Sequence, residues 1–173
     1  MAKNFYLVCC VLCLSLLCGC ASTRMPEKRI YEDAIEQINS DKASCLLIVK
    51  NEILGWDLGR GLSPLLNLYD QSNNKFKDGI IVDKVIGRAA AFIVVKGEAK
   101  KCYGKIMSED AKKLLEENGI TAEYGLLVPK ILNRKKDGLC PLEQSVLKIK
   151  DDEVDQALVA IRQRLIYLKK HPM

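Results

Sequence analysis

The side chains best suited to chemistry lie between Asn133 and Leu147, in NRKKDGLCPLEQSVL. Pro141 suits the first position of a helix, where no N–H partner is needed and proline already supplies the φ. Cys140 then becomes the N-cap. A thiol there feels the positive end of the helix dipole and unpaired N–H donors, which favour its thiolate, and Arg134, Lys135 and Lys136 push the same way. Glu143, at the third helical position, suits a cap on the Cys140 N–H, although its carboxylate opposes a thiolate. Cys140 and Glu143 are therefore the candidate catalytic residues, with Cys140 as nucleophile or redox centre. The plain alternative for Cys140 is a small, half-buried residue at a helix start.

Two other groups suit an anion. Asp83, Lys84 and Arg88 are expected in the first turns of a helix, where free N–H groups attract negative charge and one-turn spacing points both cations the same way. A solvated charged face is the other reading of the same pattern. Gly59-Arg60-Gly61 lets backbone approach a phosphate, and tight-turn chemistry explains the same glycines. These six residues are the candidate ligand-binding set.

The chain has 173 residues, 49% of them hydrophobic, enough to bury the core of one domain. Its eight cysteines do not form a framework, because Cys9, Cys10, Cys13, Cys18 and Cys20 crowd the first twenty residues. That leaves Cys45, Cys102 and Cys140. Cys45 sits in an apolar run and reads as core; a Cys45–Cys102 or a Cys102–Cys140 bridge is open in an exported protein. A formal charge of +5, one less once Lys3 leaves with the leader, demands neither nucleic acid nor an acidic partner. The basic groups Lys100-Lys101, Lys112-Lys113 and Arg134-Lys135-Lys136 suit contact with anionic lipid beside a tether, but scattered as they are they read better as solvated surface.

Residues 1–19 have the form of an export signal: Lys3, an apolar run from Phe5 to Leu17, then small residues. The run is too short for a comfortable permanent span, so an uncleaved anchor is the least favoured reading, behind ordinary secretion and a lipoprotein leader. Leu17-Cys18-Gly19-Cys20 resembles a bacterial lipobox, which implies cleavage before Cys20 and acylation of that cysteine with chains such as palmitate. The expected location is the cell envelope, lipid-anchored, at the outer membrane or periplasmic face if the cell has one. Residues 20–29 read as a tether interrupted by Pro26, and residues 30–173 as the domain.

Within the domain, Ile30, Ala34, Ile35 and Ile38 recur at helical spacing. Cys45 to Val49 and Ile53 to Leu58 form a hairpin about Asn51, and Ser63-Pro64 caps a short helix that runs to about Tyr69. Asp70 to Gly79 reads as a polar surface connection. Val85, Ile86, Ala89, Phe92 and Ile93 predict a helix over about 83–95, with Gly87 allowing close packing. Lys101 to Met107 has strand residue types, Ser108 starts a helix that closes at Asn118-Gly119, and Ile120 to Val128 is a strand stopped by Pro129. A helix runs from Pro141 to about Ile149, and Asp151-Asp152 caps a last one. There Val154, Leu158, Ile161, Leu165 and Leu168 form a seam for packing on the domain itself or, alternatively, for self-association. The element order predicts a three-layer α/β/α sandwich with a mixed sheet plus a C-terminal helix.

GRGLSPLLNLYD, VDKVIGRAAAF, KIMSEDAKKLLEENGI and LVPKILNRKKDGLCPLEQSV resemble, in order, the conserved blocks of the domain of unknown function 1893 family, over about 43–149. That resemblance implies a cytidine-deaminase-like fold. Such enzymes hold zinc through a His or Cys at a helix start and a Pro-Cys-x-x-Cys at the next strand-to-helix junction. Here the first position is expected at Asp83-Lys84-Val85 and the second at Met107-Ser108-Glu109-Asp110. The one histidine, His171, is near the C-terminus, and the three domain cysteines are 57 and 38 residues apart, so no metal or other cofactor is expected. Three functions follow as expectations: a lipid-anchored, zinc-less domain binding a small anionic ligand; a thiol redox protein using Cys140; or an interaction protein using its terminal helix.

Overall fold

Cys45-Leu46-Leu47-Ile48-Val49 contains no polar side chain, and a strand of that composition needs cover on both faces. In the computed structural model, which describes residues 27–73 and 76–171, it receives it. β1 (Cys45–Val49) lies inside a five-stranded sheet between β2 (Glu52–Asp57) and β3 (Ile80–Ile86), antiparallel to both. Lys50 and Asn51 make the hairpin turn with positive φ, the backbone that a two-residue hairpin loop requires. β4 (Lys101–Ser108) and β5 (Thr121–Val128) continue the sheet in parallel, giving the order β2-β1-β3-β4-β5.

One face is covered by α1 (Glu27–Asn39). Its Ile30, Ala34 and Ile38, spaced four apart, pack on Leu46, Ile48, Ile80, Val82 and Tyr103. The other face carries α2 (Ser63–Gln71), α3 (Arg88–Lys96), α4 (Glu109–Glu117), α5 (Pro141–Val146) and α6 (Val154–Lys170), with Phe92, Ile93, Leu114, Leu115 and Ile161 in the shared core. The mixed sheet between two helical layers, with its terminal helix, is the architecture expected from the element order.

The largest departure lies at 80–96. Ile80–Ile86 is the central strand β3, and the helix begins only at Arg88, after Gly87 as N-cap. Asp83 and Lys84 are therefore strand residues on opposite faces of the sheet, not neighbours on a helical turn. Smaller corrections follow the same logic of burial and capping. Glu27 to Arg29, read as tether, already belong to α1, while residues 1–26, with Cys20 and the leader, lie outside the described residues. Phe76, inside the stretch read as a surface connection, is fully buried against Tyr69. Leu62, not Ser63, is the N-cap of α2, and Glu153, not Asp151 or Asp152, that of α6; neither makes a side-chain cap. α5 ends at Val146 instead of about Ile149. Ser108 caps α4 as expected, accepting from the Ala111 N–H at 3.2 Å, and Gly119 closes it with φ +72°. Leu158 and Ile161 of the terminal seam are buried, and Val154, Leu165 and Leu168 pack against the same core, so the seam faces its own domain. Among the described residues no helix is long and apolar enough to cross a membrane.

Candidate functional site

The strand ends position the site. Register pairs Cys45 of β1 with Asp57 of β2 on one side and with Asp83 of β3 on the other. With β1 antiparallel to both, β2 and β3 end on the same edge of the sheet, β2 into the loop Leu58 to Leu62 and β3 into Gly87, and the two loops border a crevice at those carboxyl ends. Open α/β sheets bind ligands at such points. A cavity of about 550 Å³ fills this crevice, and the loop from Ile131 to Cys140 with the start of α5 forms its far wall.

Three sequence stretches chosen for their chemistry meet there: Gly59-Arg60-Gly61, Asp83-Lys84, and Cys140 with Glu143. Arg134 joins them, and Leu58, Leu62, Ile131 and Leu142 supply apolar wall. Arg88 does not belong to the lining. Its guanidinium turns away, pairing with Asp151 at 2.6 Å, donating to the Ile149 carbonyl at 2.5 Å and lying over the Phe92 ring. It fastens the segment between α5 and α6 instead of facing a ligand.

The helix start that the structure does provide, that of α3 at Arg88, already holds an anion. Glu143, 8% exposed, accepts from the Arg88 N–H at 2.9 Å and from the Ala89 N–H at 3.0 Å, one through each carboxylate oxygen. It therefore caps α3, fifty-five residues away, not its own helix. The Cys140 N–H donates instead to the Ile131 carbonyl at 2.9 Å. Burial pushes the Glu143 carboxyl above its ordinary range, against the pull of the two N–H donors.

Asp83 is the other buried acid, at 6% exposure. Burial lifts its pKa to about 6, even though the Val85 N–H at 2.9 Å and the Cys45 thiol donate to it. No described residue forms an ion pair with it. Its neighbour Lys84 points to the opposite face and pairs with Asp41 at 2.9 Å. Cys45 and Cys102 are fully buried free thiols, raised well above the usual range by burial and by the nearby Asp83 charge, and neither bridge considered from the sequence is formed. Cys140 is half-buried at the N-cap of α5, without a side-chain cap hydrogen bond.

Arg60 and Arg134 are exposed at the rim and pair with no described residue. The glycines flanking Arg60 serve the turn. Asp57 accepts from the Gly59 N–H at 2.5 Å and from the Asn67 side chain at 2.9 Å, and Gly61 has φ +64°, a conformation that favours glycine. The Gly59 N–H is thereby committed to Asp57, and what the turn presents to the cavity is Arg60.

Zinc of the deaminase type does not fit these residues. The α3 start is Gly87-Arg88-Ala89, a different segment from the expected Asp83-Lys84-Val85, and its N–H groups are filled by Glu143. The α4 start is Ser108-Glu109-Asp110, whose hydroxyl is committed to the cap. Among the described residues no group of three or more His, Cys, Asp or Glu is placed to hold a metal ion.

Sequence reasoning missed Arg134 as a cavity residue, placing it only as a charge near Cys140. Arg134 lies within the loop closed by the isolated Leu132–Leu139 bridge, and no local sequence pattern announces that this loop lines the crevice.

A family model described as a domain of unknown function (DUF1893) matches residues 33–164. Among solved structures the chain is similar to a DUF1893 family protein (TM1506) from Thermotoga maritima, whose crystal structure was determined at 2.70 Å resolution. The TM-score is 0.68 at 25% identity, over 83% of this chain and 92% of that one. Among curated proteins nothing matches.

Proposed function

This chain belongs to the DUF1893 family, a domain of unknown function, and from that premise we propose that its cavity binds a small anionic ligand in a domain held at a membrane by lipid on Cys20. The observation that carries the binding reading is the convergence of two unpaired arginines, Arg60 and Arg134, on the rim of one apolar-walled cavity at the carboxyl end of the sheet. Arginine forks suit phosphate or carboxylate, and few polar groups among apolar walls are the usual make-up of a ligand pocket. The strand order, and a cavity beside two helix starts, support kinship with the cytidine-deaminase fold, with Glu143 taking the helix end that would otherwise serve chemistry.

Lipid anchoring rests on the leader and on one structural relationship that suits it. Glu27, at the start of α1, pairs with Lys100 beside the first residue of β4, whereas the cavity opens where β3 ends. Those two levels of the sheet are about 20 Å apart at the usual strand rise. A tether leading into α1 would hold the domain by one end and leave the cavity mouth facing away from the membrane.

The binding test is thermal unfolding of the protein with inorganic phosphate, methyl phosphate and small dicarboxylates. Stabilisation that disappears in Arg60→Ala/Arg134→Ala is the expected result; no stabilisation by any of them, or stabilisation unchanged in the double variant, overturns the reading. For the anchor, cells given labelled palmitate should label the protein, and Cys20→Ser should abolish the label. Labelling that survives the substitution would remove Cys20 as the site.

A further inference from the structure

We propose that the ligand is a zwitterion, carrying an anionic phosphate or carboxylate that meets Arg60 and Arg134 and an amine that reaches the Asp83 carboxylate deeper in the cavity. The inference rests on the anion-binding reading and adds the other end of the molecule.

The carrying observation is a buried acid without a cation. Asp83 is 6% exposed, lines the cavity, and forms no ion pair with any described residue. Buried carboxylates are normally paired, because an uncompensated charge is costly away from water. The strand that places Asp83 in the cavity sends Lys84 to the opposite face, where Asp41 holds its ammonium. Asp83 accepts from the Val85 N–H through Oδ1, with the Cys45 thiol and the Lys84 N–H also set against it, and a carboxylate has about four acceptor positions, so one remains for a ligand.

Glu143 differs in what offsets its charge: each of its oxygens accepts from an N–H at the positive start of α3, whereas Asp83 lies within strand β3. The cavity thus carries both signs: exposed guanidinium groups, a buried carboxylate, and apolar side chains such as Leu58 and Leu142 in the same lining. A ligand with anionic charge alone would leave Asp83 facing like charge. An ammonium group supplies the missing counter-ion and donates up to three hydrogen bonds.

The test compares matched probes on the full chain by calorimetry: aminoalkyl phosphates with two to six carbons between amine and phosphate, the alkyl phosphates of the same lengths, and the corresponding alkylamines. At least one aminoalkyl phosphate should bind tenfold or more tighter than its alkyl phosphate. Asp83→Asn, nearly the same shape, should erase that preference and bind the alkyl phosphate no more weakly than the parent protein does. Competition by soluble dihexanoyl phosphatidylethanolamine would assign the zwitterion to a lipid headgroup, and competition only by the small probes to a free metabolite. Equal binding of aminoalkyl and alkyl phosphates, or a preference that persists in Asp83→Asn, overturns the zwitterion while leaving the anion site intact. No binding of any phosphate, nor of the corresponding amino acids and carboxylates, overturns both.

Discussion

The carboxylate of Glu143 occupies the space that a side chain at Gly87 would need. A Cβ at residue 87 would collide with Oε1 and lie 2.6 Å from the carboxyl carbon. Gly87 has an extended backbone, φ −96° and ψ −179°, that any residue could adopt, so its requirement is for room and not for conformation. The glycine lets α5 deliver an acid onto the start of α3. Loss of the cap in Glu143→Ala strands one buried and one part-buried N–H group, at a cost of about 3 kcal/mol. Gly87→Ala should cost about 2 kcal/mol by overpacking. In the double variant the new methyl enters vacated space, so its loss should fall short of the two single losses combined by at least about 0.5 kcal/mol. Denaturant unfolding of the four proteins measures this coupling, and simple additivity would show that the two residues do not compete for one space.

Asp83 should make the fold less stable as pH rises. Its folded-state pKa, about 6, lies above the ordinary 3.8, so its contribution to stability is fully present below about pH 3.8 and is lost as pH rises through about 6. The gap corresponds to about 3 kcal/mol as an upper bound. Asp83→Asn should therefore raise the unfolding midpoint at pH 8 and change it little at pH 4. Asp41 and Glu123, whose pKa values are lowered, act in the opposite direction, but they are common to both proteins and drop out of the difference. A variant that is equally displaced at both pH values would mean that Asp83 is not destabilised by burial.

Much of this arrangement is written locally. The four-residue spacing of Ile30, Ala34 and Ile38, the unbroken apolar run of β1, the Ser108 cap and the Cys140-Pro141 helix start can each be read within one turn or one strand. Strand β3 could not be read that way, because Val85, Ile86, Ala89, Phe92 and Ile93 also satisfy helical spacing across the strand-to-helix boundary. The signal against a continuous helix was Ile80-Ile81-Val82, a β-branched run ahead of a glycine, as befits a strand covered on both faces. At the site, the residue types were legible and their partners were not. Glu143 finds Arg88 and Ala89 across fifty-five and fifty-four positions, and only the folded chain shows that this fills the helix end that otherwise looked open to an anion.

Arg88 should matter for stability and not for ligand affinity. Its side chain joins the start of α3 to the Ile149 carbonyl and to Asp151, just before α6. Arg88→Ala should cost about 2 kcal/mol, the order for charged hydrogen bonds in a partly buried setting. Arg88→Lys should recover little, since one ammonium cannot reproduce a fork that engages a carbonyl and a carboxylate together. Affinity for a phosphate probe should stay within twofold in whichever variant folds. A tenfold loss without loss of stability would return Arg88 to the cavity.

Cys140 should be the domain thiol that reacts first in the folded protein. Cys45 and Cys102 are fully buried, and burial disfavours the thiolate of each, so neither presents a nucleophile to solvent. Cys140 is half-buried on the wall of the cavity, beside Leu142 and within the loop that carries Arg134. Brief treatment with iodoacetamide, followed by peptide mass mapping, should place the first adduct at residue 140, with Cys45 and Cys102 modified only after denaturation. Any ligand that fills the cavity should slow that reaction. Protection absent in the presence of a probe that binds through Arg60 and Arg134 would separate the thiol from the binding site, and early modification of Cys45 would mean that the β1 edge of the core opens more readily than its packing implies.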